Sequence, residues 1–123
     1  MTSPSSQAGA IYLDTGLALS QIGDVEAMNG MLAMLQDTLA QDLPQIDGFL
    51  RAGDIGNANR LLHALKGFIP IFCQADLCAH VVRVEALTKD SGSTTAAPAY
   101  LALKPQLEQL LAEVRAHLLA IAS

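Results

Sequence analysis

A histidine with a lysine three residues on and a glycine four residues on is the chain's best-placed chemistry: Leu61-Leu62-His63-Ala64-Leu65-Lys66-Gly67. In an α-helix, residues three and four apart are neighbours on one face. At about 100° per residue, Lys66 falls about 60° to one side of His63 and Gly67 about 40° to the other. Asn59, Arg60 and Pro70 share that side, while Leu62, Leu65, Ile69 and Phe72 point the opposite way with Ala58 among them. The helix therefore has an apolar rear and a polar front centred on an imidazole. A base beside a fixed cation, with no side chain at the next turn, suits a large anion on the imidazole, and a phosphoryl group is such an anion. A lone helical histidine is more often surface decoration or a satisfied, partly buried residue. His63 differs in that its neighbours on the polar face form a consistent set.

The other reactive residues form no such set. Di-iron bundles use Glu-x-x-His pairs from facing helices; here Glu113 and His117 stand four apart, once, with no second pair. His80 and His117 read as ordinary helix residues. Cys73 and Cys78 are five apart, which is neither a redox nor a zinc-knuckle spacing. They read as reduced, mostly buried thiols.

The elements that must position His63 follow from apolar periodicity. Residues 1–10 are Ser- and Ala-rich and read as a flexible tail, leaving 11–123 as one domain. Ile11 to Ile22 predicts a short first helix with Asp14 as N-cap, weakened by Gly16 and Gly23. Leu13, Leu17 and Ile22 would cover one end of the molecule. Asp24 caps a longer helix with a stripe of Met28, Met31, Leu32, Leu35, Leu39, Leu43, Ile46 and Leu50. The stripe continues across Pro44, which predicts a kink rather than a break. Gly53 suits the C′ position of that helix. Asp54 then caps a central helix, Ile55 to Phe72, whose last turn Pro70 should bend or terminate. Phe68 and Ile69 should turn towards the core. A further helix, Ala75 to Lys89, carries Leu77, Val81, Val84 and Thr88 on one side. Asp90 to Pro98 is a loop. The last helix, Ala99 to Ala120, carries a stripe of Leu103, Leu107, Leu110, Val114, Leu118 and Ile121, with Pro105 in its first turns. Four long amphipathic helices with short connections imply an all-α antiparallel four-helix bundle, with the short N-terminal helix as a cap.

Composition agrees and narrows the functions. Of 123 residues, 51% are hydrophobic but only 4% aromatic, an Ala- and Leu-rich mix that favours helix over sheet. With net charge −5 and only 7 Lys and Arg, the chain lacks the cationic surface that nucleic acid requires. No apolar run approaches the roughly 18 residues of a membrane span, and no secretory signal is visible. The expected setting is soluble and cytoplasmic.

His63-Ala64-Leu65-Lys66-Gly67 resembles the H-x-L-K-G signature of histidine phosphotransfer (HPt) domains. Gly23-Asp24-Val25-Glu26 resembles the start of that family's long second helix, and Arg51-Ala52-Gly53-Asp54 the turn into its phosphoacceptor helix. The likeness runs from about Leu13 to Glu85. Two features depart from it. Phe68, Ile69, Pro70 and Ile71 stand where small residues are usual, and Cys73 stands where a later glycine is expected. These departures bear on the shape of the helix end and on partner preference.

The resemblance implies a phosphorelay intermediate. His63 would accept a phosphoryl group from a receiver-domain aspartyl phosphate and pass it to another receiver. Lys66 would hold a phosphate oxygen, and Gly67 would leave room for the receiver. The chain would be a carrier rather than an enzyme, with no cofactor of its own, since the receiver supplies the magnesium. Expected partners are response-regulator receiver domains and a hybrid sensor histidine kinase. In the related phosphotransfer domain of chemotaxis kinases, a glutamate at the matching separation bonds the imidazole Nδ1. Glu85, 22 residues after His63, is either such an orienting group or a solvated helix glutamate. An autokinase dimerisation helix fits less well, since Ala64 stands where such kinases carry an acidic residue. The alternative is a non-catalytic helical adaptor that binds receivers without phosphotransfer.

Overall fold

A computed structural model describes residues 10–90 and 92–122. Three helices begin on an aspartate whose carboxylate accepts the backbone N–H three residues on: Asp14 from Leu17, Asp24 from Ala27 and Asp54 from Asn57. Such caps each stabilise a helix start by about 1 kcal/mol. They open α1 (Thr15–Ile22), α2 (Val25–Arg51) and α3 (Ile55–Phe68). A 3-10 turn, Ile69–Ile71, follows α3, and α4 (Ala75–Leu87) and α5 (Ala96–Ala122) complete the chain. Gly23 and Gly53 take φ of 85° and 77° after α1 and α2, a left-handed turn that glycine makes without strain.

α2 packs between α3 and α5, and α4 closes the ring between them, while α1 lies on α2 and on the 3-10 turn. The result is an antiparallel four-helix bundle with a short extra N-terminal helix. Leu32, Leu35, Leu39, Ile46, Leu62, Leu65, Leu103, Leu107 and Leu110 fill its centre and are fully buried. Among the described residues there is no strand, only one antiparallel bridge between Leu13 and Cys73.

Several boundaries differ from the sequence expectation. The tail at 1–10 lies outside the described residues except for Ala10, which packs on the core; Ser91 of the expected loop also lies outside. The first helix begins at Thr15, not Ile11. Backbone N–H groups of Ile11, Tyr12 and Leu13 instead donate to the Glu113 carboxylate at 2.9, 3.0 and 2.9 Å, so that segment stays extended. Leu17 takes no place in the core; Ala18 is buried there and Leu19 packs against it. α2 runs through Pro44 without a break, and Met31 is only partly buried. The central α-helix stops at Phe68 rather than Phe72, because Pro70 has no N–H for the Lys66 carbonyl. The chain tightens into the 3-10 turn, which Phe72 and Cys73 close by donating to the Ile69 carbonyl at 2.9 and 3.1 Å. Ile69 is buried as expected, while Phe68 is half-buried, its ring edge-on to Phe72 at 5.4 Å. The last helix starts three residues before Ala99, which places Pro105 well inside it. Its stripe fades at the end: Leu118 is partly buried and Ile121 exposed.

Glu113, which the sequence offered only as half of a lone Glu/His pair, is a buried charge. Gln109 Nε2 adds a fourth hydrogen bond at 2.9 Å. Burial pushes the Glu113 carboxyl up, but the hydrogen bonds from Ile11, Leu13, Gln109 and Tyr12 outweigh it and hold it below the usual glutamate range. A carboxyl lowered on folding adds stability above the unfolded value of about 4.3, and loses that contribution as pH falls through the folded value. Glu113→Gln presents an amide to backbone donors and is expected to cost about 2 kcal/mol at pH 7. The gap from the parent should narrow from pH 7 to pH 3, the direction in which Glu113 takes up a proton and loses its charge. Urea melts at the two pH values check this; a gap of equal size at both would rule out the charge as its source.

Candidate functional site

The capped start of α3 fixes the helix that carries His63, and burial of Ala58, Leu62 and Leu65 fixes its rotation. The opposite face then carries His63, whose side chain is 66% exposed. Gly67 is exposed one turn on, and a Cβ built there would meet nothing within 4 Å. Lys66 leans across to α4, where Nζ donates to Glu85 Oε1 at 3.1 Å.

The structure brings Glu85 to the same place. Its side chain is 1% exposed, so it is not a solvated helix residue. Oε2 lies 3.4 Å from His63 Nδ1 and accepts from Asn59 Nδ2 at 3.1 Å. Lys89 Nζ stands 3.8 Å from Oε1. Burial pushes the Glu85 carboxyl up, yet hydrogen bonds from Lys66, Asn59 and His63, with the Lys66 charge, bring it below the usual glutamate range. An ionised Oε2 facing Nδ1 favours a proton on that nitrogen. The lone pair is then on Nε2, the ring nitrogen that has no hydrogen-bond partner among the described residues. Asn59, His63 and Lys66 of α3 and Glu85 of α4 thus leave one ring nitrogen of an exposed histidine unpartnered among the described residues.

The Hpt domain model matches residues 30–117. The chain belongs to the Hpt domain family. Hpt domains act in histidine phosphotransfer within two-component phosphorelays, interact with receiver domains, and are phosphocarriers rather than classical enzymes. The matched residues include His63, Lys66, Gly67 and Glu85 and extend through most of α5, while Gly23-Asp24-Val25-Glu26 lies before them. Comparison with curated proteins and with solved structures gave no match. Among the described residues no helix is long and apolar enough to cross a membrane.

The remaining sequence candidates lie elsewhere. His80 Nδ1 pairs with Gln106 Oε1 at 2.8 Å, and His117 Nε2 with Asn29 Oδ1 at 3.1 Å. With Glu113 committed to backbone donors, no cluster of three metal-ligating side chains forms among the described residues. Both cysteines are free; Cys73 is buried and Cys78 half-buried. Sequence reasoning placed Asn59 on the polar front without a role. The available signal was its spacing, one turn before His63 on the same face. The sequence places Thr88 on one side of its helix without a role, because its contact with Asn59 depends on how α3 packs on α4; the signal for Lys89 was its spacing, four residues after Glu85.

Proposed function

We propose that this Hpt domain is a relay intermediate: His63 Nε2 takes a phosphoryl group from a receiver's aspartyl phosphate and delivers it to a second receiver. The observation that carries this reading is the exposed imidazole whose Nδ1 faces a buried carboxylate. In the accepting step an N–P bond forms at Nε2 and the acyl-phosphate P–O bond breaks. The receiver's aspartate leaves with the electron pair. Nδ1 keeps its proton, so the ring gains positive charge opposite Glu85. Phosphoryl transfer is mostly positioning and charge neutralisation; the receiver supplies the acidic pocket and its magnesium, and this chain supplies the nucleophile. A hybrid sensor kinase is the upstream source, and the exchange takes place in the cytoplasm. The test is incubation with a panel of phosphorylated receiver domains from the same organism. Transfer to His63 supports the relay, whereas binding without transfer to any of them would leave only an adaptor.

Lys66 has two tasks in this reading. Its ammonium carries three donors, enough to keep Glu85 Oε1 and reach a phosphoryl oxygen. A charge-assisted hydrogen bond of about 1.5–3 kcal/mol, if formed fully in the transition state, corresponds to about 10- to 100-fold in rate. Lys66→Ala should slow transfer by that factor. Because it also deprives a buried carboxylate of a partner, it should lower stability by about 1–2 kcal/mol. Transfer kinetics and thermal melts on one preparation check both, and an unchanged rate would reduce the lysine to a structural partner of Glu85.

A further inference from the structure

Asn59 has no hydrogen bond to the imidazole among the described residues, yet its amide is tied down beside it. Its Nδ2 reaches three acceptors on the end of α4: Glu85 Oε2 at 3.1 Å, the Glu85 carbonyl at 3.2 Å and Thr88 Oγ1 at 3.0 Å. Thr88 donates in turn to the Glu85 carbonyl at 2.7 Å. The position of this amide is therefore set by the α4 backbone as well as by the carboxylate.

That anchoring matters because a carboxylate does not orient itself. The terminal torsion of a glutamate is broad and roughly two-fold, so burial alone leaves the plane of Glu85 undecided. Lys66 and Lys89 both address Oε1, and an ammonium on a flexible stem is a point charge that fixes no plane. Among the described residues only Asn59 and His63 address Oε2. The amide nitrogen can donate but cannot accept, so at this contact it favours the ionised carboxylate over a rotated or protonated one.

We propose that Asn59 is a positioning residue for phosphotransfer: through Glu85 it holds Oε2 against His63 Nδ1 and so keeps the Nε2 lone pair free for the phosphoryl group. This rests on the reading of Glu85 as the group that orients His63. Asn59 also ties α3 to α4, and a tether alone would alter stability without altering the imidazole tautomer. The two roles are therefore separable by experiment.

The experiment uses the full chain, with Asn59→Ala, Asn59→Asp, Glu85→Gln and the double variant Asn59→Ala/Glu85→Gln. Three quantities are measured: the melting temperature, the His63 ring 15N shifts that report the tautomer, and the rate of transfer from a phosphorylated receiver. Asn59→Ala suits a helix and should fold. Its rate should fall about tenfold, the equivalent of one weak charge-assisted hydrogen bond, and its ring should shift towards the Nε2–H form. Asn59→Asp keeps the shape but sets an anion against Glu85, and should move both readouts at least as far. If Asn59 acts through Glu85, the double variant should match Glu85→Gln in tautomer and rate, the non-additivity expected of coupled residues. A lowered melting temperature with parental tautomer and rate in both Asn59 variants would overturn the proposal and leave a tether. Were Glu85→Gln itself to leave tautomer and rate unchanged, the Glu85 reading would fall, and this proposal with it. A shift in Glu85→Gln but in neither Asn59 variant would sink this proposal alone.

Discussion

His63→Gln is expected to fold as the parent does and to take up no phosphate at all. The side chain is 66% exposed, so the substitution opens no cavity, and surface changes of this kind usually stay within about 0.5 kcal/mol. The glutamine amide can still donate towards Glu85, so the buried carboxylate keeps a neighbour. What disappears is the one exposed ring nitrogen set between a lysine and an open glycine. Neither remaining histidine has a lysine three and a glycine four residues on, and His117 is further occupied, its Nε2 paired with Asn29 and its Nδ1 buried. In the parent the label should be acid-labile and base-stable, as a phosphoramidate is. The check is transfer of labelled phosphate from a phosphorylated receiver to parent and variant, followed by acid and alkali treatment. Label retained by His63→Gln would remove His63 as the acceptor.

Gly67→Leu should separate docking from folding as cleanly. Glycine costs a helix interior roughly 0.8–1 kcal/mol relative to Ala, and Leu ranks close to Ala. Nothing stands within 4 Å of a Cβ at this position, so the variant should be slightly more stable than the parent. The added side chain would nonetheless occupy the space beside the imidazole that a receiver must enter. Misplacing reacting atoms by about 1 Å can cost 100-fold, so transfer should fall by about that much or more. Ile69→Ala supplies the opposite case. Ile69 is fully buried, and truncating it should cost about 2–5 kcal/mol while the folded fraction transfers at the parental rate. Melting temperature and transfer rate for the pair decide the matter. Parental transfer by Gly67→Leu would mean that the open face beside His63 is not where the receiver docks.

The sequence by itself determined the four long helices, because each repeats apolar residues every three or four positions and a helix must bury that stripe. It also placed Asp14, Asp24 and Asp54 as caps, since an N-cap acts on an N–H three residues away and needs no distant partner. His63, Lys66 and Gly67 share one helix, so their common face followed from 3.6 residues per turn.

Tertiary structure alone decided the rest, because the deciding partners are far apart along the chain. Where the Glu85 side chain lies depended on how α4 packs against α3; the packing buries its carboxylate between Asn59, Lys66 and His63. Ile11 to Leu13 had the residues to begin a helix, but the Glu113 carboxylate, about 100 positions away, takes all three N–H groups and keeps them extended. Periodicity fixes which face of a helix is buried; a partner from another helix decides what a buried polar group does there.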